Sequence, residues 1–295
     1  MTTSASISIV PVRGNAQRLD GGSMFGNAPR VVWEQWMQPD EKHRVTLACR
    51  AMLVDVDGYR ILCETGIGAF FPPKLRERFG VVESQHVLLE QLQQFGLTED
   101  SIDAVILSHL HFDHAGGLLP AFEESQGHPQ RVLFPRAQYV VGQESWNRAL
   151  NPHPRDRASF IPELMPLLEQ SGRLHLVQDG KRPAFLPDCI SFRFSHGHTP
   201  GQMHTMVRGA KQTVIFAGDL IPGTPWVHAP ITMGYDRFPE LLIEEKRDLY
   251  ENGLNDGDWL FYCHDPKFAF SQVAKNEKGR YVPCHTQDDD FQLTL

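Results

Sequence analysis

The chain has few of the features that mark a membrane protein or a disulfide-bonded secreted fold. Its 295 residues include five cysteines, an odd number, and none of them form a C-x-x-C pair. Such scattered cysteines are typical of reduced thiols in a cytosolic protein. No apolar run approaches the length of a membrane span, and the first residues lack the charged and apolar regions of a signal peptide. We therefore expect a cytoplasmic protein with no membrane partner.

Basic stretches are lacking as well. The 28 Lys and Arg residues are outnumbered by 36 Asp and Glu residues, which gives a formal net charge of -8. No segment resembles a basic surface that tracks a phosphate backbone, so nucleic acid is not an expected partner. A hydrophobic content of 41% and a charged content of 22% are ordinary for a globular protein.

The most informative segment concentrates four metal-binding side chains in six residues. These are His109, His111, Asp113 and His114. They follow Ala104–Leu107, an apolar run typical of a buried strand, and precede Gly116 and Gly117, which we expect to let the backbone turn around an ion. At the end of a strand the first two histidines can face one ion, while the turn that follows directs Asp113 and His114 towards a second ion. Imidazole and carboxylate groups suit zinc and similar divalent ions.

Three further potential ligands each stand just after an apolar segment. His198 lies in a Gly/Pro turn after the strand-like Cys189–Phe194, Asp219 ends the run that begins at Val214, and His264 ends the run that begins at Trp259. The end of a buried strand can hold a side chain rigidly over a shared cleft. Four such coincidences in one chain predict a metal site and disfavour a chance cluster of surface histidines.

Together these motifs resemble the metallo-β-lactamase superfamily, and within it the quorum-quenching N-acyl homoserine lactonase branch (YtnP-like). The resemblance rests on the His-x-His-x-Asp-His segment 109–114, on Gly-His-Thr-Pro-Gly at 197–201, on Gly-Asp at 218–219 and on His264. It extends to residues 20–26, to Thr-Gly-Ile-Gly at 65–68 and to Gly-Tyr-Asp-Arg-Phe-Pro at 234–239. The metal motifs are specific for the superfamily, whereas glyoxalase II and organophosphate hydrolases share them with lactonases.

The resemblance implies a fold and a set of ligands. The fold is a four-layer αβ/βα sandwich, formed by one domain over residues 1–295 with an N-terminal loop extension over about residues 1–40. One ion would be held by His109, His111 and His198, the other by Asp113, His114 and His264, with Asp219 bridging the two. Zinc is the expected metal, and iron, manganese or cobalt could occupy the same ligands. Related enzymes are often dimers, so a homodimer is a further expectation.

The implied activity is the opening of lactone rings, with N-acyl homoserine lactones as the expected substrates. Hydroxide generated between the two ions would attack the carbonyl carbon. Asp113 is the expected group for moving a proton to the leaving oxygen. A G-x-S-x-G nucleophile motif is lacking, and none is needed.

The substrate pocket is expected to use aromatic and apolar residues of the surrounding loops. They are Met24, Phe25, Phe70, Phe71, Trp226 and Tyr235. Their alternative role is packing beneath loops or at a dimer contact. Well-known lactonases carry a tyrosine three residues after the bridging aspartate, where this chain has Pro222, so Tyr235 or His228 is expected to orient the substrate instead.

Two residues that differ from the usual superfamily pattern, and one acidic segment, need a separate interpretation. Glu64 replaces the usual aspartate before Thr65-Gly66 and is expected to support a histidine rather than to bind metal. Gln202 stands where many relatives have a histidine and need not be a ligand. The acidic tail residues 288–290 are interpreted as a solvated terminus.

Two other functional hypotheses remain open from the sequence. In one, the same site hydrolyses an organophosphate triester, an aryl ester, a β-lactam or a thioester. In the other, the protein binds metal without hydrolysis, as a regulatory ligand binder or an iron-dependent redox protein. Retention of all seven expected ligands disfavours the second hypothesis.

Local patterns predict alternating strands and helices. A hairpin is expected where Asp57-Gly58 joins strands 45–56 and 59–64. Helices are predicted over 83–95, 162–170 and 238–252, and further strands over 105–107, 131–141, 173–177, 189–194, 203–207, 213–217 and 258–262. A second hairpin is predicted over 268–283.

Overall fold

The computed structural model describes residues 6–178 and 180–295, and the strands in this part of the chain form three sheets. The strands are β1 (Ile7–Val12), β2 (Gln17–Asp20), β3 (Arg44–Leu47), β4 (Ala51–Val56), β5 (Tyr59–Cys63), β6 (Ala104–Leu107), β7 (Gln138–Gly142), β8 (Leu174–Val177), β9 (Ile190–Ser195), β10 (Gln202–Arg208), β11 (Thr213–Phe216), β12 (Trp259–Phe261), β13 (Phe270–Lys275), β14 (Tyr281–Gln287) and β15 (Leu293–Thr294). One sheet has the order β15-β1-β4-β5-β6-β7-β8 and the second has the order β14-β13-β12-β11-β10-β9. The pair β2-β3 forms a small third sheet.

The α-helices of the described ranges are α1 (Gly21–Phe25), α2 (Arg30–Trp33), α3 (Pro73–Arg78), α4 (Val87–Gln94), α5 (Phe112–Ala115), α6 (Phe122–Ser125), α7 (Gln143–Leu150), α8 (Leu164–Gln170) and α9 (Pro239–Asp248). Of these, α4, α7, α8 and α9 cover the outer faces of the two large sheets, and the other helices lie in the connecting segments. The helix α9 continues into a π-helical turn, Leu249–Gly253. None of the helices in the described ranges is both long enough and apolar enough to cross a membrane.

Three layers of core contain most of the buried apolar side chains, and a smaller cluster surrounds Phe71. Leu88 of α4 and Trp146 of α7 pack on the outer face of the β1-containing sheet. Residues such as Met203 and Phe261 fill the space between the two sheets, and Leu242 of α9 covers the outer face of the second sheet. Each sheet therefore buries both faces, which explains why its central strands are continuously apolar. The four-layer αβ/βα sandwich predicted from the sequence is confirmed.

Most predicted elements exist, although their bounds differ from the predicted ones. The hairpin between β4 and β5 turns at Asp57 and Gly58, whose φ angles of 51° and 89° match the left-handed turn that an Asp-Gly pair favours. The strand predicted over 131–141 is wrong in its first half, because the chain becomes extended only at Gln138.

The prediction of a loop extension over about residues 1–40 is wrong for the described residues. Strand β1 pairs along its whole length with β4, from Ile7 opposite Val56 to Val12 opposite Ala51. The short helices α1 and α2 then follow β2. The alternation of apolar and polar residues at Ile7, Ser8 and Ile9 was the local signal for this strand.

A fully buried lysine connects α9 to the loop beneath it. The Lys246 ammonium donates hydrogen bonds to the carbonyl oxygens of Trp226 (2.9 Å) and Ile231 (2.6 Å). Burial lowers the pKa of Lys246 to about 7, and the charge of Asp236 only partly opposes this shift. The buried amine thus binds its proton far less tightly than it would in the unfolded chain.

This depressed pKa predicts a rise in stability with pH. Between pH 7 and 10.5 the unfolded chain binds a proton at Lys246 that the folded protein has lost, so the free energy of unfolding increases, by up to about 5 kcal/mol. Below pH 7 both states are protonated and this contribution is constant. We expect Lys246→Met to lack the rise. Urea unfolding at several pH values, compared between wild type and variant, measures it; parallel curves would contradict the assignment.

Candidate metal centre

The seven predicted ligands come together at one edge of the sandwich, where strands of both sheets end. His109, His111, Asp113 and His114 follow β6, and His198 lies between β9 and β10. Asp219 follows β11, and His264 follows β12, which is parallel to β11. Because the two strands run in parallel, Asp219 and His264 leave the sheet at the same edge. All of these side chains except Asp113 are buried, with 6% or less of each residue exposed.

Three histidine nitrogens form one group. The Nε2 atom of His109 lies 3.0 Å from Nδ1 of His111, and Nε2 of His198 lies 3.3 Å from that same Nδ1 atom. The three ligand atoms lie within 4.8 Å of one another. A single ion can therefore contact all three residues.

A second group contains His114, His264 and two carboxylates. The Nε2 atoms of the two histidines are 3.3 Å apart. Asp113 places one oxygen 3.8 Å from the His114 nitrogen and the other 3.6 Å from the His264 nitrogen. Asp219 joins the two groups: its Oδ1 lies 3.3 Å from His114 and 3.2 Å from His264, whereas its Oδ2 lies 3.2 Å from His198. This is the position of a bridging carboxylate.

The distances within each group fit a metal ion. Ligand atoms about 2.0–2.1 Å from a tetrahedral zinc ion are separated from one another by about 3.3 Å. A cation between buried lone pairs at this distance would satisfy them, and a polar group buried without a partner is costly. The donor set of imidazole and carboxylate is that of zinc and related divalent metals.

Contacts behind the ligands fix the orientation of the rings. Nδ1 of His109 hydrogen-bonds with the Ser108 hydroxyl (2.9 Å), and Nδ1 of His264 donates to the Ala48 carbonyl (2.7 Å). Each contact leaves the Nε2 atom of its ring facing the centre. Such outer contacts fix the tautomer and direct the lone pair of a metal-binding histidine.

Asp236 gives similar support to His198, a role that the sequence analysis missed. Its Oδ1 lies 2.9 Å from Nδ1 of His198, while Oδ2 accepts a hydrogen bond from the Met233 backbone. The residue is 1% exposed. Its presence in the segment 234–239, which carried the resemblance, was the available signal.

Glu64 lies behind His114, as the sequence suggested. One carboxylate oxygen accepts a hydrogen bond from the Ser108 backbone (2.7 Å), and the other lies 3.4 Å from Nδ1 of His114. The φ angle of Glu64 is 67°, a left-handed conformation that is unfavourable for a residue other than glycine. Such strain persists where surrounding contacts impose it, commonly at functional sites.

The glycine pair after the ligand segment has a different role from the one predicted. Neither Gly116 nor Gly117 has a positive φ angle. Instead, a Cβ atom on Gly117 would lie 2.0 Å from the Thr65 carbonyl oxygen, and one on Gly116 would lie 2.3 Å from the Ile67 carbonyl oxygen. The glycines are needed because the loop after Glu64 packs directly against their backbone.

Gln202 supports the bridging aspartate rather than the metals. With its amide oxygen turned towards the loop, it accepts hydrogen bonds from the backbone N–H groups of Asp219 (3.1 Å) and Leu220 (2.9 Å). It is completely buried. The turn that carries Asp219 is thereby tied to the start of β10.

The electrostatics of the two groups differ. Burial and the neighbouring histidines lower the pKa values of His109 and His111 well below the usual range. At His114, burial acts in the same direction, but the negative charges of Asp219, Asp113 and Glu64 outweigh it and raise the pKa. The histidines likewise outweigh burial at Asp219 and hold the pKa of its carboxyl group well below normal. The group with His109 and His111 therefore favours neutral imidazoles, whereas negative charge is concentrated around His114 and favours a cation there.

A cleft of about 220 Å³ opens onto the ligands. Met24 and Tyr235, two of the predicted substrate-binding residues, line it. So do Leu19, Leu47, Phe79, Phe112, Met233, Arg155, Asp156 and Arg237, none of which the sequence analysis had selected. These residues come from distant parts of the chain; Phe112 and Arg237 stand within the segments 109–114 and 234–239 that carried the resemblance, and the others lie outside the ligand motifs.

The other predicted substrate-binding residues do not line this cleft. Phe25 is completely buried and lies between the rings of Trp33 and Trp226, with centroid distances of 5.5 and 4.7 Å. These aromatic side chains pack in the hydrophobic core. Packing was the alternative to a substrate-binding role that the sequence left open. His228 lines a separate surface cavity beside Trp36.

Two of the predicted phenylalanines lie behind the cleft wall. The ring of Phe71 packs 4.8 Å from Phe79 and 5.5 Å from Phe112, the two rings that reach the cleft. Phe70 in turn stacks on Phe71 at 4.0 Å. They support the wall without facing the ligands.

Cys263 is a buried thiol beside the second group of candidate ligands. The residue is 1% exposed, and its Sγ lies 3.6 Å from Oδ1 of Asp219. It forms part of the group with His114 and His264. The thiol is thus directed at the bridging carboxylate.

The C-terminal tail contributes to the position of His264. The guanidinium of Arg50, 1% exposed, donates to the carbonyl oxygens of Tyr262 (2.9 Å) and Asp265 (3.0 Å), on either side of this ligand. Asp289 pairs with Arg50 at 2.5 Å, and only 18% of its side chain is exposed. The interpretation of residues 288–290 as a solvated terminus is therefore wrong for Asp289.

We expect Asp289→Asn to lower the free energy of unfolding by about 3 kcal/mol, because it leaves the buried guanidinium of Arg50 without its counter-charge. Urea unfolding with metal present measures this loss. Asp290→Asn is the matched control, since 91% of its side chain is exposed. Equal stability of the two variants would contradict a role for the Arg50–Asp289 pair.

Comparison with known proteins agrees with the fold. The sequence profile of the metallo-beta-lactamase superfamily matches residues 44–264, so the chain belongs to this superfamily. It is a metallo-hydrolase of the metallo-β-lactamase fold.

Curated relatives are distant. Ribonuclease TTHA0252 of Thermus thermophilus is 31% identical over 127 residues, which cover 43% of this chain but only 28% of the ribonuclease. The probable metallo-hydrolase YflN of Bacillus subtilis is 27% identical over 205 residues, or 66% of this chain and 67% of YflN. N-acyl homoserine lactonase AiiB of Agrobacterium fabrum is 26% identical over 208 residues, with the same coverage of 66% and 67%.

Solved structures support the fold over nearly the whole chain. A probable metal-dependent hydrolase from Staphylococcus aureus has a TM-score of 0.83 at 24% identity, covering 97% of this chain and 100% of that protein. The dizinc quorum-quenching lactonase AidC, in complex with N-hexanoyl-L-homoserine as product, has a TM-score of 0.73 at 18% identity and covers 97% of each chain. At these identities the similarity establishes the fold alone.

Proposed function

We propose that the protein is a dinuclear metal-dependent lactonase that opens N-acyl homoserine lactones. The observation that carries the proposal is the bridging position of Asp219, whose two oxygens face two separate histidine groups at 3.2–3.3 Å beneath a cleft. A pair of divalent ions there would lower the pKa of a shared water and polarise a carbonyl group. The histidines and Asp219 would bind that pair of ions.

Asp113 is suited to move a proton during ring opening. Its side chain is 15% exposed and lines the cleft, whereas Asp219 is more deeply buried at 6%. It therefore combines proximity to His114 and His264 with access to substrate. The proton would pass through its carboxylate to the oxygen that leaves the opened ring.

The cleft walls suit a small substrate with an apolar part. Leu19, Met24, Leu47, Phe79 and Phe112 provide apolar surface close to the ligands. The volume of about 220 Å³ favours a lactone with a short acyl chain over a bulky substrate. Tyr235 lines the same cleft and remains a proposed orienting residue for the carbonyl group. The names of two similar proteins, AiiB and AidC, add support for a lactone substrate.

The first test combines metal analysis with a substrate panel. Protein loaded with zinc would be assayed by proton release on N-butanoyl, N-hexanoyl and N-dodecanoyl homoserine lactones, and on paraoxon and an aryl acetate. We expect about two metals per chain and the highest kcat/KM on the short-chain lactones. Turnover of paraoxon or the aryl acetate with inert lactones would assign the site to another substrate. Failure to bind metal would contradict the mechanism.

The quaternary state is a separate proposal, carried by the resemblance alone. We expect a homodimer, and light scattering at working concentrations measures its mass. A monomer mass would contradict it without affecting the proposed activity.

A further inference from the structure

The loop that carries His198 packs against α9. Strand β9 ends at Ser195 and β10 begins at Gln202, so this ligand stands in the connection between two paired strands. Its Nε2 atom has to face two partners, because it lies 3.2 Å from Oδ2 of Asp219 and 3.3 Å from Nδ1 of His111. Contacts that fix the backbone of this loop therefore bear directly on the geometry of the metal centre.

Glu245 of α9 binds the backbone just before His198. One oxygen of its carboxylate accepts a hydrogen bond from the His196 N–H group (2.6 Å), and the other accepts one from the Gly197 N–H group (2.9 Å). Two consecutive backbone amides are thus held by one partly buried side chain. Hydrogen bonds from backbone N–H groups to a carboxylate are stronger than those to a neutral acceptor.

The backbone of α9 lies too close to Gly197 for any side chain at this position. A Cβ atom there would lie 2.5 Å from the Cα atom of Leu242. The Gly197 carbonyl oxygen also accepts a hydrogen bond from the Phe238 N–H group (2.8 Å). The carbonyl oxygen of His198 accepts one from the Arg237 N–H group (3.1 Å). Gly197 is therefore held at its N–H group, its carbonyl group and its Cα atom.

Asp236 and Glu245 support His198 in different ways. Asp236 hydrogen-bonds with Nδ1 of the imidazole (2.9 Å) and so fixes the rotation of the ring. Glu245 hydrogen-bonds with backbone amides, so it fixes the position from which the ring extends. Metal–ligand distances in proteins vary by only about 0.2 Å around their usual values. A small displacement of this loop would therefore weaken the contact between His198 and an ion.

We propose that Glu245 is a positioning residue for His198 and thereby sets the affinity of the three-histidine group (His109, His111 and His198) for its ion. The inference rests on the dinuclear centre of the proposed function and is independent of the substrate. Contacts behind metal-binding histidines contribute about tenfold to a hundredfold to metal affinity. The second group of ligands should depend on Glu245 far less, because the hydrogen bonds of this carboxylate within the described residues go to the His198 loop.

The test measures the dissociation constants of two zinc ions by competition with a chelator. Glu245→Leu removes both acceptors, so the Kd of the three-histidine group should rise about tenfold to a hundredfold. Glu245→Gln retains one oxygen acceptor and should show a smaller rise. Glu244→Leu is the matched control, because Glu244 is an exposed residue of the same helix; it should retain both wild-type constants.

Cobalt-loaded protein assigns the loss to His198. The Nδ1 proton of this ring, which faces Asp236, should give a paramagnetically shifted NMR signal, and His198→Ala identifies that signal by its disappearance. At equal cobalt the signal should weaken in Glu245→Leu, weaken less in Glu245→Gln and remain in Glu244→Leu. A general defect in packing would not act selectively on this proton.

A double-mutant cycle separates positioning from a general role in folding. In His198→Ala no ring remains to be positioned, so adding Glu245→Leu should not weaken the binding of the ion that this variant retains. If Glu245 acted through overall stability, the added substitution would weaken that ion too. Glu245→Leu alone would then lower the affinity of both groups of ligands.

The outcomes separate this inference from the function on which it rests. Unchanged Kd values in both Glu245 variants would overturn it, and so would an equal loss at both groups of ligands. Glu245→Gln closely preserves the shape of the side chain, so the test does not depend on the folding of Glu245→Leu. Metal-loaded wild type that opens no lactone would contradict the proposed activity and leave this inference standing. Failure of the wild type to bind two ions would contradict both.

Discussion

Asp219→Ala is expected to lower lactone turnover by at least about a thousandfold and to reduce the metal content from about two ions per chain to one or fewer. The reason is geometric: the two oxygens of this carboxylate are the contacts shared by the His114–His264 pair and by His198. Without them, neither histidine group retains its full set of protein ligands. Metal analysis after gel filtration, together with proton-release kinetics, measures both effects.

The matched control is Asp256→Ala, which removes an exposed carboxylate in the turn before β12, at the end of that strand opposite His264. It should keep both metals and wild-type turnover. His109→Ala provides a second variant, because it removes one nitrogen of the other group without touching the bridge. Wild-type metal content and turnover in both site variants would overturn the assignment of the centre.

Removal of the metals is expected to destabilise the protein strongly. The ligands connect segments from both sheets, and in the metal-free protein their buried lone pairs face one another at 3.0–3.3 Å. An ion that binds only the folded state stabilises it by about 4 kcal/mol when its free concentration is a thousand times its Kd. Two ions acting in this way should raise Tm by many degrees.

Calorimetric unfolding of chelated and zinc-loaded protein measures this effect. The chelated sample should recover the original Tm when zinc is restored, which separates metal loss from damage. The doubly substituted variant His109→Ala/Asp219→Ala is the control, because chelator should change its Tm far less. An equal Tm with and without metal in the wild type would show that the centre contributes nothing to stability.

The sequence by itself predicted which candidate ligands come together, and it predicted much of the fold. The ligand types are chemically distinctive, and each stands at the end of an apolar segment such as Ala104–Leu107, so their convergence follows from the order of residues along the chain. Hydrophobic patterning likewise marked the hairpin at Asp57-Gly58 and the strands of the two sheets. The four-layer arrangement came from the resemblance carried by the same ligands, since local patterns indicate only mixed α and β structure.

What the tertiary structure decided is which non-ligand residues reach the centre. Phe25 and Trp226 are residue types expected in the wall of a substrate cleft, but they stack on each other in the core. Phe79 and Arg237 reach the cleft instead. The sequence indicated that Asp289 belongs to a solvated terminus, yet it pairs with Arg50, which is 239 residues away along the chain. The sequence around an aromatic or charged side chain does not indicate which residues that side chain contacts in the folded protein. Their placement depends on packing between segments that are distant in the chain, and that packing exists only in the folded protein.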